Sequence, residues 1–205
     1  MTTEIIPCEN PLAIPRALAI LKEGGLVAFP TDTVYGVASL PWDKRAVERL
    51  FFAKERDARK AIPILVGNVE QLAQVTAGMT ASARRLADTF WPGALTLVVP
   101  RHPNLPGAIS PTPTIGVRMP DHPFALALLR HSGPLATTSA NLSGGANTQT
   151  AGDVLAQLCG RIELLLDGGT TPGGVPSTVV DCTSSQPAIL RQGALSADRL
   201  LAALS

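Results

Sequence analysis

Short apolar runs alternate along this chain with amphipathic stretches, and that alternation constrains the fold more than any other feature. Runs at 26–29, 62–66, 95–99, 115–118, 135–138, 164–167, 178–181 and 188–190 are too short for helices and read as strands. Between them, 14–22 reads as a helix stopped by Gly24-Gly25. Asp43 can cap a helix that carries Ala46, Val47, Leu50 and Phe51 on one face. Segments 69–75, 80–88 and 123–131 also read as helical. Thr150 followed by Asp153 resembles a capping box for a helix ending near Cys159, and Ser196 can cap a last short helix. Helices interleaved with strands predict an α/β sheet. The links 100–114 and 182–187 lack a helix, and the second is short enough for a hairpin. The sheet is therefore expected to be mixed rather than all parallel. No Gly/Ser linker, repeat or low-complexity block divides the 205 residues, so one domain over 1–205 is expected. The Pro/Gly-rich stretches 100–113 and 168–176 read as loops near a site.

Composition narrows the function classes. The chain is 45% hydrophobic and 16% charged, which argues against disorder. A net charge of +1 provides no global field for nucleic acid or an anionic membrane, and 4% aromatic residues leave few stacking platforms. Cys8, Cys159 and Cys182 show no metal-ligand spacing, and lone thiols fit a reducing compartment. The first residues lack a signal-peptide pattern, and no apolar run approaches the ~20 residues of a membrane span. The expectation is a cytoplasmic protein with no membrane association.

Chemistry can sit at four places. Pro30-Thr31-Asp32-Thr33-Val34-Tyr35-Gly36 follows an apolar strand, where ligands of open α/β sheets bind, although Pro and Asp also form plain turns. Lys54-Glu55-Arg56-Asp57-Ala58-Arg59-Lys60 concentrates cations. If extended, it projects Lys54 and Arg56 to one side about 7 Å apart, where an anion would relieve their repulsion. The alternative is a solvated loop neutralised by Glu55 and Asp57. In Ala136-Thr137-Thr138-Ser139-Ala140-Asn141-Leu142-Ser143-Gly144-Gly145 a strand runs into small hydroxylated residues that can present N–H and O–H groups to an anion, or form an ordinary turn. Neither a P-loop nor a dinucleotide fingerprint is present. Thr114, Arg118, Ser177 and Arg191 lie at strand edges, where Arg can also be a surface charge. His102, His122 and His131 fit no ligand pattern, and spacing assembles no Ser–His–Asp triad. Trp91-Pro92-Gly93 reads as a packed corner.

These segments occur in a telling order. Pro30-Thr31-Asp32-Thr33-Val34-Tyr35-Gly36, Lys54-x-Arg56-x-x-x-Lys60 and Trp91-Pro92-Gly93-x-Leu95-Thr96 come first. Gly116-Val117-Arg118-x-Pro120, Ser139-Ala140-Asn141-Leu142-Ser143-Gly144, Pro176-Ser177-Thr178-Val179-Val180-Asp181 and Leu190-Arg191-x-Gly193 follow. The set resembles the YrdC-like family, the threonylcarbamoyl-adenylate synthases, from about Pro11 to Ser196. The resemblance implies a twisted, open, mixed sheet with a concave cationic face. It implies the joining of L-threonine, bicarbonate or CO2, and ATP into L-threonylcarbamoyl-AMP and pyrophosphate, with Mg2+. The product would feed threonylcarbamoylation of adenosine 37 in tRNA by a separate transferase complex. It also implies that Lys54, Arg56, Lys60, Ser139 and Asn141 serve catalysis. Thr31, Tyr35, Arg118, Thr138 and Ser177 would serve threonine, and Lys54, Ala58, Thr114, Ala140, Thr148 and Arg191 the nucleotide. The early end of the chain is similar to the short form without an extra C-terminal domain. The family usually has Pro where Asp57 and Ala61 stand, so a less rigid loop of lower charge is expected. The rival readings are a module with weak binding to structured RNA, and a carbamoyl-transfer domain of the hydrogenase-maturation kind.

Overall fold

The computed structural model describes residues 2–204. The strands are β1 (Glu4–Pro7), β2 (Val27–Phe29), β3 (Gly36–Ser39), β4 (Ile64–Leu65), β5 (Leu95–Pro100), β6 (Thr114–Arg118), β7 (Leu135–Ser139), β8 (Leu164–Asp167), β9 (Thr178–Asp181) and β10 (Ala188–Arg191). The helices are α1 (Ala13–Lys22), α2 (Lys44–Ala53), α3 (Leu72–Val75), α4 (Ala81–Phe90), α5 (Pro123–Ser132), α6 (Ala151–Leu158) and α7 (Ala197–Leu204). All ten strands form one sheet in the order β1-β8-β2-β3-β7-β4-β6-β5-β9-β10. Pairs such as β1–β8, β4–β6 and β5–β9 are parallel, whereas β2–β3, β3–β7 and β5–β6 are antiparallel. This is the single-domain, mixed α/β sheet expected, and β9 and β10 form the expected antiparallel pair.

The caps are also where the sequence placed them. Asp43 accepts from the N–H groups of Arg45 and Ala46, and Ala46, Val47 and Leu50 are buried beneath α2. Thr150 and Asp153 exchange hydrogen bonds in a reciprocal box at the start of α6. Three readings change. The helix expected over 69–75 shortens to α3, and the strand over 62–66 shortens to β4. Two strands were not expected, β1 and β3. β1 lies at the sheet edge with alternate residues exposed. β3 is built of small residues whose extended form is imposed by neighbours on both sides, β2 and β7.

Side chains alternate between the two sheet faces. One face carries Val37, Ile64, Leu95, Leu97, Ile115, Val117 and Ala136, and belongs to the larger core, which includes buried residues of α2, α4, α6 and α7. The opposite face carries Val27, Phe29, Ala38, Leu65, Leu135, Leu164 and Leu166, and packs beneath α1 and α5. Those two helices cover β8, β2 and parts of β3, β7 and β4. Beyond them this face changes character to Thr96, Val98, Gly116, Arg118, Thr137 and Ser139, and no helix covers it.

Candidate active site

The uncovered half-face is the floor of a cleft of about 390 Å³. Small residues make it hollow. A Cβ on Gly36 would stand 2.8 Å from Thr137 Cγ2, and one on Gly116 would stand 3.1 Å from Thr96 Cγ2. The walls come from the β2–β3 link, the ends of β6 and β7, the start of β9 and the end of β10. A larger hollow of about 1120 Å³ lies beside α3 and α4, but Val69, Leu72, Met79 and Trp91 make much of its wall apolar. Chemistry needs convergent polar groups, and those are in the smaller cleft.

Three guanidinium groups meet there: Arg56, Arg118 and Arg191. Arg118 is anchored at every nitrogen. Nε donates to the Gly93 carbonyl at 2.9 Å, one terminal nitrogen to Thr33 Oγ1 at 2.9 Å, and the other to Asp32 Oδ1 at 2.5 Å. Arg118 is buried and Asp32 is nearly so, with its side chain 13% exposed. Arg56 donates to the Ala61 carbonyl at 2.8 Å, and its buried Nε has no partner. Arg191 donates to the Ser177 carbonyl at 2.8 Å. Burial pulls all three guanidinium groups below their ordinary range. Arg191 adds like-charge pressure on Arg56 and Arg118, and Asp32 opposes that at Arg118. Three cations against one carboxylate make a place that favours an anion. Among the described residues, no three His, Cys, Asp or Glu side chains are grouped to hold a metal ion. Asp32 is already taken by Arg118, so the donors here suit a metal ion that arrives on an anionic ligand.

Hydroxyl groups complete the cleft. Thr31 donates to the Val34 carbonyl at 2.7 Å and lies 3.1 Å from Thr33 Oγ1. Ser177 Oγ is 2.8 Å from Thr96 Oγ1. Thr138 and Ser139 border the same space. Tyr35 also borders it, yet its hydroxyl is engaged elsewhere. It donates to the Gly169 carbonyl at 2.8 Å and accepts from Gly168 N–H at 3.0 Å, and burial pushes it up to about 12. Its hydroxyl therefore pins the 168–176 loop rather than facing a ligand.

Other residues singled out by the resemblance lie outside the lining. Lys54 is buried, with its ammonium on the Ser139 and Asn141 carbonyls. It ends α2 in a helical conformation and Glu55 is left-handed at φ 52°, so the extended geometry considered for this loop does not occur. Lys60 and Ala58 are exposed on the loop beyond it. Asn141 turns its amide onto the Leu142 and Gly145 carbonyls at 2.8 and 2.9 Å. Ala140 is buried and donates to the Tyr35 carbonyl, and Thr148 is buried and accepts from Tyr35 N–H. Thr114 starts β6 and sits 2.9 Å from Thr112 Oγ1. The 54–61 loop has restraints of its own. Asp57 accepts from Arg59 N–H at 2.9 Å and pairs with the Arg59 side chain at 2.7 Å. Asp57 thus neutralises Arg59 and braces the turn.

Asp32 and Thr33 stand in the first candidate segment and Thr96 in the Trp91-Pro92-Gly93 motif, but none of the three was given a role of its own from the sequence. A signal for Thr96 existed, since Leu95-Thr96-Leu97-Val98 places a hydroxyl on the face opposite two buried leucines. Thr33 and Asp32 carry no such period, because they lie in a turn.

Known proteins are similar to this chain in sequence and fold. The sequence profile of the Sua5, YciO and YrdC family, described as "Telomere recombination", matches residues 19–193. The threonylcarbamoyl-AMP synthase of Bacillus subtilis is 41% identical over 95% of this chain and 57% of its own length. The putative threonylcarbamoyl-AMP synthase of Mycobacterium tuberculosis strain H37Rv is 38% identical over 97% of this chain and 94% of its own. The crystal structure of P. abyssi Sua5 complexed with L-threonine superposes with a TM-score of 0.93 at 39% identity, covering 99% of this chain and 61% of that one. The chain thus spans little more than half the length of the Bacillus relative. With the profile match covering most of the sequence and the fold in agreement, the chain belongs to the Sua5, YciO and YrdC family.

Proposed function

We propose that the chain is a nucleotidyltransferase that joins L-threonine, bicarbonate or CO2, and ATP into L-threonylcarbamoyl-AMP, with release of pyrophosphate. The observation that carries this reading is the convergence of Arg56, Arg118 and Arg191, with Asp32 as counter-charge, on a bare sheet face. A relative of the same fold complexed with L-threonine, and relatives named as threonylcarbamoyl-AMP synthases, support it.

The reaction asks for positioning and electrostatics rather than a covalent protein nucleophile. The threonine amine takes up CO2 as a carbamate. A carbamate oxygen then attacks the α-phosphorus of ATP, and the bond to the pyrophosphate leaving group breaks. Arg118 would receive the threonine carboxylate, since each of its terminal nitrogens has a second N–H beyond those given to Thr33 and Asp32. Thr31, Thr138 and Ser177 would hold the rest of the amino acid. Arg56 and Arg191, with Lys60 from the rim, would meet the phosphates. Mg2+ would enter on the triphosphate oxygens and offset their charge. The Ser139 hydroxyl would orient the carbamate or the α-phosphate. The product would pass to a tRNA threonylcarbamoyl-transferase complex, and the place of action would be the cytoplasm. Pyrophosphate release tests the reading. It should depend on threonine, bicarbonate and ATP together, and Arg56→Ala should lower it by roughly a hundredfold or more while leaving the fold intact. Near-normal turnover in Arg56→Ala would remove that residue from the mechanism.

A further inference from the structure

Segment 168–176 spans two sides of the cleft. It is nearly all surface. Thr171 is its one buried residue, Gly169 and Gly174 turn it at φ 75° and 62°, and Val175 is 48% exposed. It is therefore held by hydrogen bonds at a few points rather than by a core of its own. At its start the Tyr35 hydroxyl holds Gly168 and Gly169. Farther along it lies against the backbone of Asp32 and Thr33. A Cβ on Gly173 would stand 2.7 Å from the Asp32 carbonyl oxygen, and Gly174 N–H donates to the Thr33 carbonyl at 2.8 Å. Asp32 and Thr33 are two of the three residues that fix Arg118. Only Val175 and Pro176 then separate Gly174 from Ser177, whose carbonyl accepts from Arg191 at 2.8 Å. The Pro176 carbonyl accepts from Ala194 N–H at 3.1 Å, which locks the far end of the segment to the chain just past Arg191.

A continuous path of hydrogen bonds and chain thus runs from Arg118 through Thr33, Gly174 and Ser177 to Arg191. In the proposed reaction Arg118 takes the threonine carboxylate and Arg191 meets phosphate. A ligand on Arg118 steadies Thr33, and with it Gly174. A link of two residues then leaves little freedom at Ser177 and Arg191. Once one ligand has ordered that link, the other loses less conformational freedom on binding, so the two bind cooperatively. Through space alone the sign is opposite, because a carboxylate and a triphosphate in one cleft of about 390 Å³ repel each other. We infer that 168–176 is a strap that couples the two substrate positions, so that threonine and ATP each tighten the binding of the other. This coupling rests on the adenylate-forming reading of the cleft.

The test is calorimetric titration of the full chain with L-threonine and with α,β-methylene-ATP plus Mg2+, each alone and with the other at saturation. The analogue keeps the phosphates but cannot release pyrophosphate. Saturating analogue should lower the threonine Kd by about tenfold, and saturating threonine should lower the analogue Kd by the same factor, because a coupling free energy is reciprocal. Inserting one Gly between Gly174 and Val175 slackens the link at an exposed point and leaves both anchors in place. In that variant each ligand alone should bind within about threefold of wild type, and the coupling should fall to about twofold or less. Should the insertion fail to fold, Gly174→Ala decides by the same cycle. Its Cβ would stand 2.7 Å from Gln149 Nε2 on a left-handed backbone, so the strap must shift and the coupling should fall likewise. Wild-type coupling of about twofold or less, coupling of the opposite sign, or tenfold coupling that survives the slackened link would overturn the inference. Wild-type protein that binds neither ligand would sink the activity reading and the strap with it, whereas binding of both without coupling sinks the strap alone.

Discussion

Arg118 is held in one orientation by the protein itself, which would prepare it for the proposed carboxylate ligand. Gly93, Thr33 and Asp32 each hold one of its nitrogens, so the fork cannot rotate away. Lys could carry the charge but not that geometry. Arg118→Lys should therefore raise threonine KM by roughly tenfold, about 1.4 kcal/mol, and substrate titration of initial rates would measure it. Arg118→Ala should cost about 2–4 kcal/mol of stability, because Asp32, only 13% exposed, is left without its partner. Denaturant unfolding reads that directly. At Lys54 the sign runs the other way. Below pH 7 the burial penalty of its charge is present in full. As pH rises from about 7 toward 10.5 the folded state sheds this proton before the unfolded chain does, so the penalty is relieved. Lys54→Met should be more stable than wild type at about pH 6, and the gap should narrow by about pH 9.5. A gap independent of pH would show that the ammonium does not titrate there. The sequence made Arg56, Arg118 and Arg191 legible as local charge, because each stands in or beside an apolar segment. It could not show that Lys54 points inward, since a charge run has the same composition in either orientation.

Secondary-structure elements were legible where pattern and chemistry agreed. The Asp43 cap and the Thr150–Asp153 box place the starts of α2 and α6 because capping is a local hydrogen-bond problem. β3 was not legible. Gly36-Val37-Ala38-Ser39 has weak strand propensity, and its form comes from pairing with β2 and β7, which is non-local. Its glycine has a second role, since Thr137 occupies the space a side chain would need. Gly193 is tighter. A Cβ there would stand 2.3 Å from the Pro176 carbonyl oxygen and 2.5 Å from the Ser177 carbonyl carbon. Backbone cannot yield as a side-chain tip can. Gly193→Ala should therefore cost about 1–3 kcal/mol and displace the start of β9, raising threonine KM through Ser177. Thermal unfolding alongside threonine titration tests both halves. A stable variant with unchanged KM would show that β9 accommodates the methyl group without moving Ser177.

At the scale of the molecule, the cleft exists because two helix layers are unequal. The α2, α4, α6 and α7 layer lies on one face, whereas α1 and α5 cover β8, β2 and only parts of β3, β7 and β4 on the other. The uncovered strands keep apolar residues inward and small or hydroxylated ones outward, so function follows from which half of the face lacks a helix. A net charge of +1 gives the whole chain no field worth the name, yet Arg56, Arg118 and Arg191 give this cleft one. On the proposed function, this cleft makes an adenylate from threonine. The most direct measurement is detection of the product from purified protein, ATP, Mg2+, bicarbonate and radiolabelled threonine. The prediction is a labelled species containing both threonine and AMP, formed with stoichiometric pyrophosphate and lost when bicarbonate is withheld. Pyrophosphate release that ignores threonine, or no labelled adenylate at all, would rule out adenylate formation in this cleft.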